Sequence, residues 1–242
     1  MKKIILGALM LCSITTFAQD IKFGVKAGVN IANLAGDYPS KSGDYLTLEA
    51  GPITSFHFGG FVEFQLNDKI NFAPELLFSR QGNDLETKGS PWNPPTASFQ
   101  TISFKQSPSL LYLNIPFMFK YEVVNKLHLE VGPQIGFLLS AKSKWEYKNE
   151  DAPEENSSIT VDLLNDGIYK FSGQQIYVER GMNGTDLSFN FGASYDITEK
   201  FLVQFRYTAG LVAVDSKSQL QAEVKSLNLK NNVLQFSVGY RF

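Results

Sequence analysis

The sequence predicts an all-β fold, an eight-stranded antiparallel up-and-down transmembrane β-barrel with long extracellular loops. Three observations carry that expectation. Apolar and polar residues alternate with period two in eight separate runs, which is the strand signature. The connections between the runs are alternately short and long, as in a barrel inserted from the periplasm. The polar face of the runs is crowded with small residues, which the narrow interior of an eight-stranded barrel needs.

The runs are 21–33, 54–66, 70–81, 111–122, 127–140, 185–197, 201–211 and 233–242. The first puts Ile21, Phe23, Val25, Ala27, Val29 and Ile31 on one side, and the last puts Leu234, Phe236, Val238, Tyr240 and Phe242 there. Each matches or slightly exceeds the roughly 9–11 residues a tilted strand needs to cross a bilayer. Globular strands centre near about 5–6 residues. Short connections fall at 67–69, 123–126 and 198–200, and long ones at 34–53, 82–110, 141–184 and 212–230. Within the long ones, 97–106 and 168–178 are β-prone. Each either extends the wall or pairs as a loop hairpin, and 168–178 also admits a ten-strand barrel. Pro91, Pro94 and Pro95 mark an irregular stretch.

Orientation follows from residue size. The polar face carries Gly24, Gly28, Gly59, Gly132, Gly136, Gly192 and Gly239. A face toward water has no reason to be small and would carry more Lys and Glu. The opposite face is rich in Phe, Leu and Ile, too bulky for the interior of so small a barrel. The apolar face therefore points to lipid, unlike that of a soluble exported barrel. Phe23, Phe64, Phe72, Tyr121, Tyr195, Phe201, Tyr240 and Phe242 stand near strand ends as a periplasmic aromatic girdle.

The amino end fits export. Lys2 and Lys3, an apolar run over 4–12 and Thr16-Phe17-Ala18 form the pattern of a secretory signal. Cleavage after Ala18 leaves 19–242 as a single barrel domain. A lipoprotein signal using Cys12 would need small residues where Met10 and Leu11 stand. Cys12 is the only cysteine, so the mature chain has no disulfide framework and no cysteine metal site. A formal charge of −2 gives no reason to expect nucleic-acid binding. No later run reaches the roughly 18 apolar residues of a membrane helix.

By parity, the inward charges are Lys22, Lys26, Glu63, Glu75, Lys120, Glu130, Asp196, Arg206 and Arg241. Buried charges need partners. They are expected to form one connected structural network centred on Glu63, Glu75, Glu130 and Arg206, a plug rather than an ion path. His57 is expected near the long-loop rim and His128 near the periplasmic turns, too far apart to share a site. No zinc, phosphate-loop or nucleophile-elbow spacing occurs. No residue is therefore assigned to catalysis, cofactor or metal. The acidic stretch 149–156 reads as a solvated loop tip, with weak Ca²⁺ or Mg²⁺ contact as the functional alternative. Trp92 and Trp145 suit the outer interface or a loop contact surface.

"LNIPFMFKY" (113–121), "LEVGPQIGFLLSAK" (129–142) and "FRYTAGL" (205–211) resemble the recurrent strands of the PorT-like outer-membrane β-barrel family of Bacteroidota, as does the "FAQ" signal end. The resemblance implies an outer-membrane location and eight strands. PorT itself is tied to type IX secretion, most members have no assigned role, and no catalytic residue is carried over. The 141–184 loop matches no family pattern. Three functions compete: a structural or adhesion-type barrel, an accessory of a secretion or uptake machine, and, least favoured, an enzyme. The expected partners are outer-membrane lipid, the barrel-assembly machinery and an envelope or extracellular protein met by the long loops. Tyr240 and Phe242 resemble the terminal signal that the assembly machinery reads.

Overall fold

The computed structural model describes residues 21–38, 46–95, 97–215 and 227–242. The expected signal at 1–18 lies outside them. The strands are β1 (Ile21–Ala35), β2 (Leu46–Gln65), β3 (Ile70–Gly89), β4 (Trp92–Asn93), β5 (Ser98–Phe99), β6 (Ile102–Val124), β7 (Leu127–Asn149), β8 (Ser157–Asp162), β9 (Gly167–Phe171), β10 (Gln174–Val178), β11 (Thr185–Asp196), β12 (Phe201–Gly210) and β13 (Lys230–Arg241).

Eight of them close a ring in the order β1-β2-β3-β6-β7-β11-β12-β13, with every neighbouring pair antiparallel. The closing pair runs from Gly24 opposite Arg241 to Ala35 opposite Lys230. Closure removes both edges, so the ring presents no open strand edge to hydrocarbon. The short turns are locally encoded. The amides of Lys69 and Ile70 both donate to Asn67 Oδ1 at 2.9 Å. Those of Lys200 and Phe201 donate to Thr198 Oγ1 at 3.2 and 2.9 Å. Asn and Thr side chains thus supply the acceptors that a tight reversal needs.

Burial alternates along the wall as the periodicity requires. On β12, Phe201, Val203, Phe205 and Tyr207 are exposed, while Leu202, Gln204, Arg206 and Thr208 are buried. The outward rings pack across strands: Phe58 stacks on Phe78 at 5.5 Å, Phe72 meets Phe119 tilted at 5.1 Å and Phe201 meets Tyr240 edge-on at 5.1 Å. Such pairs add to sheet stability beyond their area.

Above the bilayer the two sides of the ring differ. β2, β3, β6 and β7 run for 20, 20, 23 and 23 residues, but β11, β12 and β13 for only 12, 10 and 12. The β-prone 97–106 stretch divides: β5 pairs with β4 in a small hairpin apart from the ring, and the start of β6 extends the wall. The 168–178 stretch is a separate hairpin, β9 with β10, so the ring keeps eight strands. The 141–184 segment is largely β-structured. β8 pairs with the upper part of β7 from Lys142–Asp162 to Tyr147–Ser157, in the place that β11 fills lower down.

Candidate functional site

The lumen is the site the strand pattern points to. It has four levels, counted from the periplasmic side. At the mouth, an open polar basin of about 200 Å³ is lined by Lys22, Asn71, His128 and Asp196 among others. Lys22 faces Glu63 in register but is exposed at this rim. It does not enter the network assigned to it, because it sits where the wall opens to water and needs no buried partner. His128 lies at this end as expected.

Above the mouth, the remaining eight charges form one alternating chain. Arg241 Nη1 lies 2.9 Å from Asp196, and its Nε lies 2.7 Å from Glu63. Lys120 pairs with Glu63 and reaches Glu130 at 3.5 Å. Arg206 lies 3.2 Å from Glu130 and binds Glu75 through both terminal nitrogens at 2.8 Å. Lys26 completes the chain, 2.6 Å from Glu75. The Gln204 amide bridges within it, accepting from Lys26 at 2.9 Å and donating to Glu130 at 2.5 Å. Four cations meet four carboxylates, so the chain is neutral. Fork-to-fork pairing of Arg with Glu is the geometry that best offsets desolvation. Parity had located these side chains; Gln204, a neutral residue on the same face, passed unnoticed.

The third level centres on His57. Its position corrects the expectation of a place near the rim, since it is level with Gly28, where an added Cβ would stand 2.7 Å from the His57 ring. Counted up from the short turn, β2 keeps one register with β3 from Gln65 to His57 and then runs on to Leu46, so His57 stands mid-strand rather than at the strand's upper end. His57 Nδ1 lies 2.7 Å from Asn30 Oδ1, and Nε2 lies 2.7 Å from Ser237 Oγ. A hydroxyl, an imidazole and an orienting oxygen in sequence are the parts of an activated nucleophile. Here all three are buried within the wall, and the bonds satisfy interior polar groups.

The fourth level holds Tyr112, Asn114, Asp186, Ser188 and Asn231, all buried. Asp186 accepts from Ser188 at 2.9 Å and from Asn231 at 3.2 Å. It has the same parity on β11 as Asp196, a signal that had been available and unused. Over this level sits an apolar cap of Leu34, Leu110, Leu138, Met182, Val214 and Leu229. Met182 and Val214 come from loops and carry no periodicity. Outside the cell, the acidic 149–156 stretch is engaged in the fold. The amide of Thr101 donates to Asp151 at 2.7 Å, and Asn149 Nδ2 donates to Glu155 at 3.0 Å. Among the described residues, no group of three His, Cys, Asp or Glu is placed to hold a metal.

A closed ring with lipid-facing rings outside and a sealed polar lumen agrees with the family model that matches residues 17–216, the outer membrane protein beta-barrel domain. The chain belongs to that family. It is an outer-membrane protein. No curated protein matches it. Solved structures similar to this family member include Ail, the attachment invasion locus protein of Yersinia pestis, at 10% identity over 93% of this chain and 100% of that chain (TM-score 0.42). Outer Membrane Protein W of E. coli is similar at 14% identity over 93% and 100% (TM-score 0.39). Neisserial surface protein A is similar at 12% identity over 93% and 100% (TM-score 0.37).

Proposed function

We propose that this barrel is a closed outer-membrane anchor that presents a rigid β-structured surface to another envelope or extracellular protein, without catalysis or conduction. The observation that carries this reading is the length of four neighbouring wall strands, 20–23 residues where the bilayer needs roughly half as many. Their upper parts form a platform. Phe104, Trp145 and Phe171 pack edge to face at 6.0–6.4 Å and tie the β9–β10 hairpin to β6 and β7. The hairpin holds the cross-strand neighbours Ile168 and Tyr177 in solvent, 70% and 52% exposed. An ordered apolar patch binds a partner without the entropy cost of ordering a loop. The neutral ion chain and the apolar cap support the absence of a water path.

The runner-up, an accessory role in secretion or uptake, is supported by the resemblance of 113–121, 129–142 and 205–211 to PorT-like barrels. In either case the apolar belt contacts outer-membrane lipid, and Tyr240 and Phe242 engage the barrel-assembly machinery. A photo-crosslinking residue at Tyr177 should yield one discrete protein adduct in intact cells, lost on Ile168→Asp. The same probe at lipid-facing Val203 should yield none. Deleting 149–156 should weaken surface binding while leaving secreted cargo unchanged. Loss of cargo secretion without loss of binding would favour the accessory role. Discrete conductance steps in a planar bilayer would overturn the closed-anchor reading.

A further inference from the structure

Asp186 stands apart from the other inward carboxylates. Glu63, Glu75, Glu130 and Asp196 each lie within ion-pair distance of a Lys or Arg. Asp186 is 1% exposed, and no ion pair joins it to a cation among the described residues. Its two hydrogen bonds, from Ser188 and Asn231, both reach Oδ2. Among the described residues Oδ1 finds no donor, and neither do Asn114 Oδ1 and Asn231 Oδ1.

These oxygens share one place. Asn114, Gly136 and Asp186 are consecutive partners across β6, β7 and β11. A Cβ on Gly136 would stand 2.7 Å from Asn114 Oδ1, 3.3 Å from the Tyr112 ring and 3.4 Å from Asp186 Cβ. Asn231 reaches in from β13 through its bond to Asp186. Any side chain at Gly136 would press on Asn114 Oδ1, the Tyr112 ring and the Asp186 side chain at once.

We propose that this level of the lumen is a binding site for a monovalent hard cation such as sodium, held by Asp186 Oδ1 with the side-chain oxygens of Asn114 and Asn231 and the Tyr112 hydroxyl. The chemistry selects the class. The donors are all oxygen, which hard cations take and soft metals do not. There is one carboxylate, so a single positive charge balances the site and a divalent ion would leave an excess. Stranding a carboxylate in this interior costs several kcal/mol, and a cation removes that cost where the wall supplies none. The apolar cap above closes the ion off from the outside, so it enters as the barrel folds.

The test is unfolding of the full mature protein after refolding in detergent with sodium, potassium or N-methyl-D-glucamine chloride. Ionic strength is held constant and the pH alkaline. Above the dissociation constant, each tenfold rise in sodium should lower the unfolding constant about tenfold. Asp186→Asn should abolish that slope. Equal stability of the wild type in all three salts would overturn the site, as would an Asp186→Asn variant that keeps the slope. Because that variant risks failing to fold, wild-type protein refolded and crystallised in a thallium(I) salt provides a second arm. An anomalous peak between Asp186, Asn114 and Asn231 is expected, and its absence from those crystals would also overturn the proposal.

Discussion

Below the level of Gly28, and apart from Lys22 at the mouth, the lumen carries eight charges; above it, among the described residues, the buried acidic or basic side chain is Asp186 alone. The lower charges are arranged so that every carboxylate touches a cation and every cation a carboxylate. The upper carboxylate is held by a hydroxyl and an amide. The contrast teaches that this barrel uses two ways of tolerating charge at a place water does not reach. One is mutual neutralisation among strands far apart in sequence, with Lys26, Glu75 and Arg206 brought together from β1, β3 and β12. The other is local hydrogen bonding from β11 and β13 under an apolar cover.

The largest effect expected from breaking this arrangement is at Arg206. Its guanidinium serves Glu75 with two bonds and Glu130 with one. Arg206→Met would leave Glu75 to Lys26 as its one cation, and Glu130 to the Gln204 amide and a 3.5 Å contact with Lys120. Breaking a buried ion pair from one side costs about 3–5 kcal/mol, measurable as the urea unfolding free energy in lipid vesicles. Combining Arg206→Met with Glu75→Gln should cost much less than the sum of the two single changes, because the pair leaves together. Additive costs would mean the two side chains do not interact.

Asp186→Asn is expected to do far less. The amide keeps an acceptor for Ser188 and strands no cation, so in sodium-free buffer the loss should stay within about 1 kcal/mol, the scale of one altered neutral hydrogen bond. A loss as large as that of Arg206→Met would show that Asp186 has a charged partner after all.

The ring and the lower ion chain were legible because both follow from one rule, strict alternation. Once Phe56 and Phe58 point to lipid, His57 and Glu63 must point inward, whatever the partner strand. Depth was less legible. Lys22 has the correct parity but sits at the mouth, and His57 lies deeper than expected, because β2 continues past Thr54 to Leu46 and the wall rises above it. The upper lumen was least legible. Met182 and Val214 reach it from loops without periodicity. Asp186 went unweighed because the charges were counted up from the short turns and it stands at the far end of β11. The platform's strands were hidden for a similar reason. The Gly51-Pro52 step in β2 and Gly82 in β3 read as loop signals, and it is pairing of β2 with β3 and of β3 with β6 that holds those segments extended.

The smallest expected effect lies on the platform itself. Asp84 of β3 meets Lys105 of β6 at 2.8 Å, with both side chains more than a third exposed. Partial burial pushes the Asp84 carboxyl up, but its bonds to Lys105 and Ser107 and the Lys105 charge more than offset this, so it titrates below its ordinary value. The stabilisation is therefore fully present above the unfolded carboxyl value of about 3.9, and it is lost as pH falls through the lower folded value. Exposed pairs contribute roughly 0.2–1 kcal/mol, and this one belongs at the low end. Pepsin cleavage of the platform should quicken slightly across that acidic window, and Asp84→Asn should remove the pH step. Salt separates this pair from the lumen chain. Ions at about 1 M screen charges beyond roughly 3 Å in solvent, so high salt should erase the Asp84 contribution. The Arg206→Met cost should persist, because Arg206 and Glu75 are both buried. A parallel salt response at the two sites would mean that water and ions reach the lower lumen, and the sealed chain would then have to be read as a hydrated path.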